Sequence, residues 1–135
     1  MVYLTRRERF NAAHRLFNEA WSTQKNFEVF GKCANTNYHG HNFELFVTVK
    51  GNPDEDTGLI INAKELSSII REHITSKLDH KNLNIDVDFL KDIIPSMENL
   101  VIAIWKQLEP QLTTCKLHCI KIIETENIFV EYFGK

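Results

Sequence analysis

HNFELFVTVK, residues 41 to 50, sets His41, Phe43, Leu45, Val47 and Val49 in alternation with Asn42, Glu44, Thr48 and Lys50. That is the period of two expected of a strand with one apolar face, with Phe46 the one apolar residue on the polar side. The strand stops at Gly51-Asn52-Pro53-Asp54, which is turn chemistry, and Leu59-Ile60-Ile61 after Thr57-Gly58 reads as a short extension of it. Downstream, Asn62 followed three residues later by Glu65 has the form of a capping box. Leu66, Ile69, Ile70, Ile74 and Leu78 then recur at helical spacing. A second helix opens at Ser96 just after Pro95, carries Leu100, Val101, Ile104, Trp105 and Leu108, and stops at Pro110. Residues 116 to 124 and 128 to 133 are rich in Ile, Val and aromatics around Thr125-Glu126-Asn127, and read as a hairpin.

Upstream of the deciding strand, Val2 to Ala13 reads as a first strand ending near His14, and residues 15 to 40 as a long irregular excursion from the sheet. The order is β-β-α-α-β-β, which predicts an α+β domain: an antiparallel sheet with two helices on one face.

The chain has 135 residues, 43% hydrophobic and 25% charged, which predicts a single domain over 1–135 with enough core to need no disulfide staple. Sixteen Lys plus Arg against eighteen Asp plus Glu leave a formal charge of -2. A general nucleic-acid binder would carry a basic excess, so no nucleic-acid partner is expected, and an anionic ligand must be met by local charges. Cys33, Cys115 and Cys119 form no C-x-x-C pair and fit a reducing compartment. The charged N-terminus and the absence of an apolar run long enough to span a bilayer predict a cytoplasmic protein with no membrane partner.

The chemistry concentrates where the long excursion enters the deciding strand. Cys33-Ala-Asn-Thr-Asn-Tyr-His39-Gly-His41 places a thiol and two imidazoles close together, and in extended backbone His39 and His41 point to the same side. Two neutral imidazoles on one face begin a metal site, and catalytic zinc takes three protein ligands. His14 is the natural third if the first two strands pair; the alternative is a polar strand start with incidental histidines. Cys33 reads as an inert buried residue, a nucleophile or base, or a fourth ligand that closes a structural site. Asp79-His80, at the end of the first long helix, reads as an acid/base pair or as a helix-end cap. On their own, Glu98 is a first-turn acid favoured by the helix dipole and Glu124 a strand-end charge. Arg6, Arg7 and Arg9 read as a solvated cluster, and Cys115 and Cys119 as core or edge residues.

Taken together, FNAAHRL (10 to 16), FGKC (30 to 33), HGHNF (39 to 43), TGLIIN (57 to 62), LDHKNL (78 to 83), MEN (97 to 99) and IET (123 to 125) resemble the 6-pyruvoyl-tetrahydropterin synthase family, nearly end to end and in one order. The resemblance implies the tunnelling fold, whose sheets assemble around a trimer into a barrel, with two trimers stacked as a hexamer. It implies one Zn2+ per subunit on His14, His39 and His41, with Cys33 as proton acceptor and Asp79-His80 as acid/base relay. It also implies Glu124 as the carboxylate that anchors the pterin and Glu98 as a second substrate contact. The implied substrate is 7,8-dihydroneopterin triphosphate, with Mg2+ possible on its phosphates, and the implied product is 6-pyruvoyl-tetrahydropterin in tetrahydrobiopterin synthesis. A bacterial branch makes 6-carboxy-tetrahydropterin for queuosine and 7-deazaguanine synthesis; the five residues between Cys33 and His39 resemble the pyruvoyl branch. A relative that binds zinc or pterin without turnover is the alternative of another class. Two positions depart from the pyruvoyl pattern: Met97 stands where Thr is common, and Tyr38 where Gly is.

Overall fold

A computed structural model describes residues 1–135. The first strand, β1 (Val2–His14), leads through helix α1 (Thr23–Phe30) and a 3-10 turn at Gly31–Ala34 into β2 (His39–Gly51). Helix α2 (Ala63–Ile70) passes through a π-helical turn at Arg71–Thr75 into α3 (Ser76–Leu78), and β3 (Lys81–Asn82) follows. Helix α4 (Met97–Leu108) and the hairpin of β4 (Lys116–Thr125) and β5 (Ile128–Tyr132) complete the chain. The sheet order is β3-β1-β2-β4-β5. Every pairing is antiparallel except the two-residue contact of β3 with β1, which is parallel. The α+β class and the hairpin are as the sequence predicts, and no helix is long and apolar enough to cross a membrane.

Three local expectations are corrected. The excursion from 15 to 40 is not irregular throughout, because α1 and a 3-10 turn lie within it. Helix α1 has no apolar stripe for periodicity to reveal: its one buried residue is Asn26. The Asn26 amide donates to the Asn18 and Ser22 carbonyls, both at 3.0 Å, and accepts from the Asn18 N–H at 2.7 Å. Residues 59 to 61 form a bend rather than a strand, held where the Asp54 N–H reaches the Leu59 carbonyl at 3.0 Å. The order β-β-α-α-β-β therefore gains a helix and a short strand. The capping box is also incomplete: Asn62 caps α2 by accepting from the Lys64 N–H at 2.9 Å, and no hydrogen bond returns from Glu65.

The π turn suits the spacing of the buried stripe. Leu66, Ile70, Ile74 and Leu78 are spaced by four residues, and on a helix of 3.6 residues per turn each step drifts about 40°. A wider turn cancels part of that drift. All four side chains are at most 1% exposed, packed with Leu100, Ile104 and Leu108 of α4 against Phe43, Leu45, Val47, Ile120 and Ile122 of the sheet. Each such burial is worth about 1.5–3 kcal/mol. Both long helical segments thus cover one face, and the face bearing Tyr3 and Phe129 stays open.

Where α2 crosses β1 the core accepts one charge. Glu8 is buried, and burial alone raises its carboxyl; the Ser67 hydroxyl at 2.6 Å, Arg6 and Arg71 outweigh that and hold it below the ordinary value.

Candidate metal centre

The register of β1 against β2 puts His14 opposite His39 and Ala12 opposite His41. Period two then brings all three imidazoles to the core face, on the end of the sheet beyond the Phe10–Phe43 stack. One ring nitrogen from each histidine lies within 4.8 Å of the others. The sequence expectation that His14 joins the H-G-H pair is met geometrically.

Three buried ring nitrogens have no hydrogen-bond partner: His14 Nε2, His39 Nδ1 and His41 Nε2. Polar atoms so placed are rare unless something binds them, and neutral imidazoles are the commonest metal ligands, so the donor set fits a divalent metal. The Pro95 carbonyl sits 2.8 Å from His14 Nδ1. A carbonyl only accepts, so Nδ1 carries the proton and Nε2 keeps its lone pair for a metal. Pro95 precedes the Ser96 cap of α4, and nothing in the sequence signals that its carbonyl orients a histidine 81 residues away.

Glu124, at the end of β4, is brought to the same place: its Oε1 is 3.2 Å from His41 Nε2, at ion-pair distance but off the line of a hydrogen bond. Cys33 lies outside the histidine cluster and is half-buried in the 3-10 turn. Its carbonyl accepts from the Leu16 N–H at 2.7 Å, which ties that turn to the chain just beyond His14.

Asp79 and His80 stand at the other edge of β1. Asp79 Oδ1 accepts from the Asn11 N–H at 2.8 Å and Oδ2 lies 3.0 Å from His80 Nδ1, so the pair is formed. The Asn11 N–H, with the His80 ring beside it, holds the Asp79 carboxyl below the usual carboxylate value. His80 has φ +60 and an 82% exposed side chain, and no hydrogen bond or ion pair joins it to the histidine cluster. Asp79 stands at the C-cap position of α3, but its side chain holds a β1 N–H, not the following turn, while pairing with the ring. Asp79 also lines, with Phe10, Asn11, Asn42, Phe43 and Glu44, a cavity of about 500 Å³. Sequence reading missed Asn11 and Asn42; their side chains hydrogen-bond at 2.6 Å across paired strands, and only the register shows it. Glu98 is exposed in the first turn of α4 with no ion pair, and Met97 beside it is buried.

Burial pushes the His14 and His41 rings below the ordinary imidazole value, in His14 against the Pro95 and Glu124 contributions. A depressed histidine binds its proton more readily in the unfolded chain, so stability is lost as pH falls from about 6.5 toward the folded-state value. Metal-free protein should therefore melt at progressively lower temperature between about pH 7.5 and 5.5, where ordinary carboxylates stay ionised. Circular dichroism melts in chelator would show it, and a flat profile would contradict neutral, buried rings.

A family model described as 6-pyruvoyl tetrahydropterin synthase matches residues 3–135. A Dictyostelium discoideum protein named 6-pyruvoyl tetrahydrobiopterin synthase is 48% identical over 134 residues, covering 99% of this chain and 97% of its own. A Homo sapiens protein of the same name is 40% identical over 132 residues, covering 98% and 91%. Among solved structures, Caenorhabditis elegans 6-pyruvoyl tetrahydropterin synthase superposes with a TM-score of 0.93 at 33% identity, covering 99% of this chain and 96% of that one.

Proposed function

Since the chain belongs to the 6-pyruvoyl tetrahydropterin synthase family, we propose that it is a zinc-dependent lyase that converts 7,8-dihydroneopterin triphosphate to 6-pyruvoyl-tetrahydropterin with loss of triphosphate. The observation that carries the reading is the cluster of three histidines with unpartnered buried nitrogens and a carboxylate at its edge. His14, His39 and His41 would hold the zinc. Bound there, it would supply Lewis acidity toward the side-chain oxygens of the substrate, which acidifies the neighbouring C–H and O–H protons.

The chain's own residues do the rest. Glu124 accepts the pterin's 2-amino and ring N–H groups together, a bidentate and charge-assisted contact that anchors the ring beside the histidines. Cys33 takes the side-chain proton, and His80 returns or removes another. Asp79 stays ionised and fixes the Nδ1–H tautomer of His80, which leaves Nε2 free to exchange a proton. Glu98, exposed at the head of α4, serves as a second substrate contact.

His80 turns to solvent rather than to the histidines, so one chain alone does not assemble these groups. That supports a homo-oligomer, a hexamer of two stacked trimers, in which a neighbouring copy completes the site. The open sheet face bearing Tyr3 and Phe129 fits a barrel of joined sheets. The pathway is tetrahydrobiopterin synthesis, in the cytoplasm.

Mass spectrometry of the products formed from 7,8-dihydroneopterin triphosphate by zinc-loaded protein with Mg2+ tests the proposal. The expected product is 6-pyruvoyl-tetrahydropterin. Carboxy-tetrahydropterin with acetaldehyde would reassign the chain to 7-deazaguanine synthesis, and no turnover would make it a binding protein.

A further inference from the structure

Four of the five arginines each meet a carboxylate, two to each carboxylate. Arg6 and Arg71 meet Glu8 at 3.1 and 3.4 Å, and Arg7 and Arg9 meet Glu44 at 3.4 and 3.6 Å. Arg15 alone has no carboxylate within 4.0 Å. Its guanidinium rests instead on aromatic faces, 4.1 Å from the centre of the Phe17 ring and 5.5 Å from that of Tyr38. All three residues are half-buried.

The surroundings hold this cation in place rather than merely tolerate it. The Arg15 N–H donates to Asn84 Oδ1 at 2.8 Å, and its carbonyl accepts from Asn84 Nδ2 at 3.0 Å, so one side chain clamps both of its backbone polar groups. Tyr38 has φ +67, a left-handed conformation that a side chain raises in energy by about 1–2 kcal/mol. Backbone strain of that kind persists where surrounding structure over-determines it, and it collects at binding and catalytic sites. Arg15 follows His14 directly and Tyr38 precedes His39 directly, and those two histidines are register partners. The aromatic-flanked cation therefore sits at the strand ends that carry two of the three cluster histidines.

The hydrogen bonds of Arg15 run through its backbone alone, so the guanidinium N–H donors have no acceptor in the chain, and a cation–π contact does not consume them. Phosphate oxygens match that planar fork two at a time. A chain of net charge -2 must meet a polyphosphate with local cations, and this is the one arginine not already answered by a carboxylate. We propose that Arg15, held against Phe17 and Tyr38, binds the phosphate chain of the substrate. The assignment rests on the reading of that substrate as a pterin triphosphate.

Calorimetric titration of zinc-loaded protein with magnesium-saturated inorganic triphosphate tests the anion site apart from turnover, with 7,8-dihydroneopterin as the phosphate-free control. Arg15→Ala should weaken triphosphate binding about ten- to a hundredfold while 7,8-dihydroneopterin binds as before. Arg15→Lys should recover only part of the loss, because an ammonium keeps the charge without the fork. Tyr38→Gly should weaken triphosphate binding less than Arg15→Ala, and Tyr38→Phe, which keeps the ring, should not weaken it. Unchanged zinc content certifies that each variant is folded; should Arg15→Ala fail that check, Arg15→Lys and Tyr38→Gly decide. Wild-type protein that ignores inorganic triphosphate, or an Arg15 variant that binds it normally or loses both ligands alike, overturns the proposal. If triphosphate binding depends on Arg15 and no pterin product forms, the anion site stands and the synthase reading falls.

Discussion

Replacing His14 by alanine should remove the bound metal and, with it, turnover. Its Nε2 is one of three buried nitrogens left without a partner, its Nδ1–H on the Pro95 carbonyl fixes that nitrogen as the ligand atom, and alanine offers no donor in its place. Two histidines alone make a poor zinc site, since catalytic sites use three protein ligands. Metal content measured by atomic emission should fall from about one zinc per chain to near zero. Several kcal/mol of charge stabilisation vanish with it, a loss of about three orders of magnitude or more in rate. His39→Ala and His41→Ala should behave alike, because the three nitrogens form one cluster. Full zinc content with normal turnover in any of the three variants would remove that histidine from the metal site.

Cys33→Ala should separate chemistry from metal binding. The sulfur lies outside the histidine cluster, so zinc content should be unchanged while turnover falls about a hundred- to ten-thousandfold, the range for losing a positioned general base. Cobalt-substituted protein gives an independent readout. It should lack a strong sulfur-to-metal charge-transfer band, in the wild type as in the variant. A band present in the wild type and lost in Cys33→Ala would make the thiol a fourth ligand and the site a closed, structural one. Normal turnover in Cys33→Ala would return the residue to the inert role of a small buried hydrophobe.

The long elements were legible because their signals are local. Alternation from His41 to Val49 and the four-residue spacing from Leu66 to Leu78 depend on which face is buried, and a single apolar core rewards that pattern directly. Helix α1 carries no such signal. It is held by one buried amide, Asn26, whose partners lie within eight residues but form no periodic pattern. The π turn sits between these cases: the drift of a four-residue stripe on an α-helix implies some local widening, and packing decides where it falls.

The site divides in the same way. His39-Gly40-His41 was legible as two imidazoles on one face, and the seven sequence blocks pointed to one family, which the full-length match confirms. The residues that serve the histidines were not legible. The Pro95 carbonyl, the Asn84 clamp on Arg15 and the 3.2 Å approach of Glu124 to His41 each join segments tens of residues apart. The sequence by itself determined the α+β class, both helical stripes, the final hairpin and the residue types that can ligate or exchange protons. Only the tertiary structure decided which histidine nitrogens are stranded, which edge of β1 Asp79 and His80 occupy, and which arginine is left without a carboxylate. The physical reason is that side-chain periodicity is written along the chain, whereas hydrogen-bond satisfaction and charge pairing are settled between distant segments once packing has set the register.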